Sequence, residues 1–291
     1  MVKRSKWWIT GLVGLMFILA LAGCGAKESN SGSTASEATN STSGAGSEGE
    51  SSGSQTLDAI KKRDKLVVGV KYDTRLFGLK DPASGNVEGF DIDIAKALAK
   101  KVLGDETKLE LKEVTSKTRI PMLKNGDIDA IIATMTITEE RKEQVEFSDV
   151  YFKAGQSLLV KKGSPITGLP DVKKGVKVLA VKGSTSVDNI KEKAPEATVL
   201  QFETYLDAFN ALKAGQGEVL TTDNAILLGL SSQDSNYVLV GDTFTDEPYG
   251  IAVVKGDTGF AKTINDLLAE MKADGSYAEI YKKWFNEEPK I

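Results

Sequence analysis

The sequence predicts an α/β protein built from two lobes of like architecture. Beyond about residue 56, short apolar runs alternate with segments whose apolar residues recur every three or four positions, the pattern of strands interleaved with helices. A helix–glycine–strand unit occurs twice: Leu123-Lys124-Asn125-Gly126-Asp127-Ile128-Asp129-Ala130 matches Leu212-Lys213-Ala214-Gly215-Gln216-Gly217-Glu218-Val219. The roughly 235 residues that carry these patterns suit one large or two modest cores.

In chain order, Leu66 to Val70 reads as a first buried strand. Phe90-Asp91-Ile92-Asp93-Ile94 leads into a helix with Ile94, Ala95, Leu98 and Val102 at helical spacing. Leu109 to Val114 is a second strand, and Pro121 sits in the first turn of a helix that stops at Gly126. Ile128 to Ala133 is a third strand. The second set runs from the strand Lys177–Val181 through a helix start at 187–193 and a helix over 204–214. It closes with a strand over 218–222 and a short helix over 225–230. One register of the repeat carries Thr134 onto Asp223, each at a strand end. Ligands of open α/β sheets bind outside those carboxyl ends, so two facing edges would make a cleft.

The N-terminus belongs to neither lobe. Lys3, Arg4 and Lys6 precede an apolar run from Trp7 to Ala22, and Leu21-Ala22-Gly23-Cys24 closes it, the order of an export signal. The ending resembles the lipobox of bacterial lipoproteins, which implies a signal peptide over 1–23 and a lipid on the Cys24 thiol. An uncleaved anchor is the alternative, because the apolar run is near the minimum spanning length. Either way the expected location is the outer face of the cytoplasmic membrane. Residues 24–55 are almost all Ser, Gly, Thr, Ala, Asn and Glu and predict a flexible tether with a reach of roughly 30 Å.

Composition narrows the chemistry. The chain carries −4, and −7 once the leader with its three cations is removed, which argues against nucleic acid. One Cys and no His leave no internal disulfide and no expected metal or cofactor.

The most informative stretch is Thr134-Met135-Thr136-Ile137-Thr138-Glu139-Glu140-Arg141. Extended, it would show three hydroxyls on one side. Thr138 is a good N-cap, and Arg141 then opposes the helix dipole by about 0.3–1 kcal/mol, which an anion held there would explain. A surface ion pair with a nearby Glu is the alternative reading of Arg141, behind the anion. Lys182-Gly183-Ser184-Thr185-Ser186 joins a strand to a helix and could offer amides to a carboxylate. It lacks the ending of a P-loop, and as a lone motif it reads first as an ordinary N-cap. Asp223 could cap a helix or receive an ammonium. Lys71 and Arg119 stand near strand ends, and with Arg141 they would set three positive charges at one edge. Unbalanced, that cluster calls for a multiply anionic ligand.

From about Lys65 onward the chain resembles the polar amino-acid-binding proteins of ABC importers, most nearly the aspartate/glutamate-binding branch. The segments that carry the resemblance include Val68-Gly69-Val70-Lys71-Tyr72-Asp73, Gly89-Phe90-Asp91-Ile92-Asp93-Ile94-Ala95, Thr134 to Arg141, Phe147-Ser148-Asp149-Val150-Tyr151 and Glu247-Pro248-Tyr249-Gly250-Ile251. It implies the two-lobed periplasmic-binding-protein fold of type II, with hinge crossovers near Tyr151–Gly155 and Glu247–Ile251. Lobe one would comprise 57–151 and 251–291, regaining C-terminal helices that contain Ile264, Leu267, Leu268 and Trp284. Lobe two would comprise 155–247.

In the family the arginine at Arg141 holds the ligand α-carboxylate, assisted by Thr136 and by Ser184, Thr185 and Ser186, while Asp223 takes the ammonium. Thr134 joins this set. Glutamine-binding members typically have Asp at 71, an aromatic at 117 and Gly at 119, whereas Lys71 and Arg119 match the acidic-ligand branch. The resulting expectation is a lipid-anchored receptor, not an enzyme, that captures glutamate or aspartate by lobe closure and delivers it to the importer's membrane subunits. A glutamine or broad polar amino-acid receptor is the alternative. An extracytoplasmic dehydratase on the same fold ranks behind both, since no carboxylate pair has acid–base spacing.

Overall fold

The structure is a computed structural model that describes residues 53–289. The expected signal peptide, Cys24 and nearly all of the tether lie outside the described residues. The tether expectation runs two residues too far. Ser54 caps α1 (Gln55–Arg63), its Oγ accepting the Leu57 amide at 3.1 Å, and Leu57 and Ile60 enter the core.

The first lobe opens with β1 (Leu66–Val70), buried along its whole length as a strand covered on both faces must be. A small antiparallel sheet follows, ordered β2 (Asp73–Thr74), β3 (Gly78–Lys80) and β4 (Val87–Glu88). Its strands of two or three residues are too short to leave a periodic signal in the sequence. Next come α2 (Phe90–Leu103), β5 (Leu109–Glu113), α3 (Arg119–Lys124), β6 (Ala130–Ile131), α4 (Glu139–Lys142) and the long β7 (Val145–Ala154). In α2, Ile92, Ile94, Ala95, Leu98 and Ala99 are buried, and Gly104 ends the helix in the left-handed region with φ 74°. The third predicted strand shrinks to two residues.

The second lobe contains β8 (Gln156–Lys161), β9 (Lys177–Val181), α5 (Thr185–Lys193), β10 (Thr198–Phe202), α6 (Tyr205–Lys213), β11 (Val219–Asp223), α7 (Asn224–Ser231) and β12 (Tyr237–Val240). The chain then returns through β13 (Glu247–Val254) to α8 (Thr258–Asp274) and α9 (Ser276–Phe285).

The two main sheets are ordered β5-β1-β6-β13-β7 and β10-β9-β11-β8-β12. In each, four strands run in one direction and one against them, β13 in the first sheet and β8 in the second. Strands β7 and β13 pair antiparallel from Glu247↔Ala154 to Val254↔Val145, with register shifts around Gly250, and both cross from one sheet toward the other. Helices α8 and α9 pack on the first sheet, where Ile264, Leu267 and Leu268 are buried and Trp284 donates from Nε1 to Asp93 at 2.8 Å.

Gly89 fixes where α2 begins. Its φ is 154°, and a Cβ there would lie 2.0 Å from the Phe77 carbonyl oxygen. Gly89→Ala is therefore expected to destabilise the protein by about 2–4 kcal/mol, measured by urea denaturation, because backbone rather than a flexible side chain must yield.

Candidate functional site

The carboxyl edges of the two sheets meet, and the sequence-predicted residues gather there. Lys71 follows β1, Arg119 opens α3, and Thr134 and Thr136 follow β6. Arg141 lies in α4, Ser184 to Ser186 open α5, and Asp223 ends β11. All are buried except Thr185, which is half-buried. The lobes touch across this edge. Arg141 Nη2 donates to the Gly183 carbonyl at 3.1 Å, the Tyr205 amide donates to Asp73 Oδ2 at 2.7 Å, and Lys71 Nζ stands 5.3 Å from the Tyr205 ring centroid. At Gly183, with φ 74°, a Cβ would sit 2.9 Å from the Lys117 backbone, so the two backbone segments approach where no side chain intervenes. A groove of about 900 Å³ runs outward from Arg141 and Ser184 past Lys117 and Lys124.

Several local expectations change. The stretch from Thr134 is not uniformly extended, because Thr134 has φ 46°. Its amide donates to Asp91 Oδ2 at 3.1 Å, and Arg119 Nη1 donates to the Ala133 and Thr134 carbonyls at 2.7 and 3.3 Å. Thr136 instead offers its carbonyl to Arg141 Nη1 at 2.8 Å and bridges to Tyr249. Thr138 caps α4 as its sequence suggests. That helix has only four residues, so the dipole argument for Arg141 loses its footing. Arg141 makes no ion pair among the described residues; it is buried on carbonyls of both lobes.

At the start of α5, the Ser184 hydroxyl bonds back to the Val181 carbonyl at 2.7 Å. Thr185 Oγ1 donates to Glu247 Oε2 at 2.8 Å, and only the Ser186 hydroxyl is without a partner. Asp223 stands at the N-cap of α7 but its carboxylate makes no cap bond. It accepts the Tyr249 hydroxyl at 2.5 Å on Oδ2, while Oδ1 has no protein partner. Arg119 Nε, Thr134 Oγ1 and Gln156 Oε1 are buried and unpartnered in the same region. Such clustering at one cleft is uncommon in a core and suits a polar guest.

The expected surplus of positive charge is not there. Lys71 donates to Ser116 Oγ at 2.9 Å, and Arg119 is turned onto main-chain carbonyls. Two buried acids that the sequence reasoning left out complete the set. Asp91 is the second residue of α2, and Glu247 begins β13, held by Thr185, Asn189 and Thr245 at 2.8 to 3.0 Å. Lys71, Arg119 and Arg141 thus face Asp91, Asp223 and Glu247, all six buried. Asp91 is fully buried, and its carboxylate reaches its partners only across the fold, at Tyr151 and Thr134.

Burial dominates the electrostatics. It pushes Lys71 down to about 7, aided by Arg119 and Arg141 and opposed by Asp73 and Asp91. Arg119 falls to about 9 through burial and the neighbouring Arg141. Asp91 and Asp223 each rise to about 7, Asp223 through burial and the Glu247 charge.

Residues 66–287 match the profile of the bacterial extracellular solute-binding proteins, family 3. The chain belongs to this family. The "ABC transporter glutamine-binding protein GlnH" of Bacillus subtilis (strain 168) is 62% identical over 285 residues, 98% of this chain and 99% of that one. The "Glutamine-binding protein" of Geobacillus stearothermophilus is 60% identical over 269 residues, 91% and 100% of the two chains. The "Glutamate/aspartate import solute-binding protein" of Escherichia coli (strain K12) reaches 30% over 241 residues, 79% of each chain. Among solved structures, "an ancestral arginine-binding protein bound to glutamine" superposes with a TM-score of 0.72 at 48% identity, covering 77% of this chain and 99% of that one. The chain is therefore a solute-binding protein with the two-lobed fold. Its high-identity relatives are named for glutamine, not for the acidic branch that the sequence favoured.

The pH dependence follows from the buried acids. Asp91 and Asp223, raised from 3.8, contribute stability that is present below about pH 4 and lost as pH rises through about 7. Lys71, lowered from 10.5, contributes stability that is present above that value and lost as pH falls through about 7. Asp223→Asn removes one of the acid contributions. Relative to wild type it is expected to gain about 1–2 kcal/mol between pH 5 and pH 7, read by denaturation of the ligand-free protein.

Proposed function

We propose that this chain captures glutamine outside the cytoplasmic membrane and presents it, in the closed form, to the membrane subunits of an ABC importer. One observation carries the ligand assignment: the three buried cations of the cleft already have three buried acids of the protein among them, with Asp73 acting on Lys71 as well. Arg141 and the unpartnered Asp223 Oδ1 suit the carboxylate and ammonium of an amino-acid main chain. The remaining cations have acids or carbonyls of the protein beside them. A side-chain carboxylate would bring an uncompensated charge into a site closed to water, whereas a carboxamide would bring hydrogen-bonding groups only. The names of the two high-identity relatives point the same way. The assisting roles fall to Thr134, whose hydroxyl is unpartnered, and to Ser186. Ser184 and Thr185 shape the α5 start through their bonds to the protein.

Isothermal titration is expected to show glutamine binding near micromolar, about −8 kcal/mol. Glutamate and aspartate are expected at least about tenfold weaker, a difference of about 1.4 kcal/mol. Arg141→Ala should weaken glutamine by about 2–5 kcal/mol, since it leaves the partner charge unpaired. Tight glutamate binding without a response to glutamine would overturn the ligand assignment.

The same proposal attaches the protein to the membrane through a lipid on Cys24. Cys24→Ser is expected to move the protein from the membrane fraction to the medium and to end incorporation of labelled fatty acid. Retention of the label by the variant would refute the attachment.

A further inference from the structure

We propose that Asp73 is a positioning residue for ligand retention: it caps helix α6 across the cleft, and this bond between the lobes supplies part of the affinity without touching the ligand. The inference rests on the reading of the cleft as an amino-acid site. It concerns how firmly the site holds its ligand, not which amino acid it takes.

The first turn of any helix carries amides that have no partner within the helix. In α6, Thr204 satisfies one of them, its Oγ1 accepting the Asp207 amide at 3.0 Å. The Tyr205 amide is served from the other lobe, by Asp73 Oδ2 at 2.7 Å. Asp73 is held from its own side. It opens β2, pairs with Leu79 of β3, and accepts the Thr74 hydroxyl on Oδ1 at 3.0 Å. A second contact lies two residues on. A Cβ at Gly229 in α7 would stand 2.6 Å from the Arg75 carbonyl oxygen, so only glycine lets the helix come this near. Residues 73–75 of the first lobe therefore fit against two helices of the second. The Tyr205 ring, whose backbone this cap holds, lies 5.3 Å from the buried Lys71 ammonium. With the lobes apart, these contacts are lost together, and the Asp73 carboxylate and Tyr205 amide return to water. A contact made only in the closed form favours that form, and so strengthens the hold on any ligand that requires it.

The test is isothermal titration of glutamine into wild type, Asp73→Ala, Asp73→Asn and Gly229→Ala, beside urea denaturation of each ligand-free protein. Asp73→Ala is expected to weaken glutamine about tenfold, the scale of a lost helix cap, with the ligand-free midpoint unchanged. Asp73→Asn separates the cap from the charge that Asp73 sets beside Lys71. Asparagine caps about as well as aspartate, so this variant is expected to bind within about threefold of wild type. Gly229→Ala favours the helix but sets a methyl group against the Arg75 carbonyl. It is expected to bind at least about tenfold more weakly, with a midpoint unchanged or raised. A lowered ligand-free midpoint in Asp73→Ala, or its failure to fold, overturns the proposal, because the bond would then exist without ligand. Asp73→Asn as weak as Asp73→Ala overturns it as well, since charge and not the cap would be the cause. So does wild-type affinity in Asp73→Ala or in Gly229→Ala. Wild type that binds another standard amino acid but not glutamine sinks the ligand assignment alone, and the variants are then read with that amino acid. Wild type that binds none of them sinks both.

Discussion

The antiparallel pairing of β7 with β13 is the constraint on which the rest of the molecule depends. Those strands complete the first sheet and carry the chain to the second. At their far end Gly155 lets β8 start at once, and a Cβ there would lie 2.6 Å from the Thr245 carbonyl oxygen. Gln156 then pairs with Asp223, so the register of the crossover decides where the cleft carboxylate stands. Tyr249, in β13, donates to that carboxylate while its ring stacks on Phe152 in β7, 5.4 Å between centroids. One strand pair thus sets the connection of the lobes and the position of a buried cleft carboxylate.

Around this frame the protein buries charge in an unusual density and satisfies it mostly with main chain. Arg119 and Arg141 spend their donors on carbonyls at 133, 134, 136 and 183. A guanidinium held in that way is rigid and cannot swing out to water. Glu247 does the same work on the hinge, receiving three side-chain donors and reaching the first turns of α5. The cleft therefore presents fixed partial charges rather than mobile side chains, an arrangement that lowers the entropy lost when a polar molecule is bound.

Much of the fold was legible because it rests on periodicity. β9 matches its sequence reading at both ends, and α6 and β11 lie within a residue of theirs, since their apolar patterns are strong and glycines stop the preceding helices. The small β2-β3-β4 sheet was not legible, since its strands are held by turns rather than by a buried face. In the site, the sequence located the residues near strand ends but misjudged their sum. Lys71 and Arg119 are visible as cations in the sequence. Nothing local reveals that Asp91, some 43 positions before Thr134, accepts its amide, or that Glu247 lies against α5. Charge balance in a cleft is a property of long-range contacts, and residue-by-residue reasoning counts only the charges it notices.

The manner in which the described chain enters its fold has a mechanical consequence. Ser54 is buried and bonds to Asp257, the cap of α8, at 2.8 Å, and Gly259 leaves only 3.1 Å for any Cβ against it. Both ends of the described chain are therefore seated on one lobe. Rotation of the other lobe about the crossover strands exerts no pull on either end, so opening and shutting can proceed without dragging whatever is attached upstream.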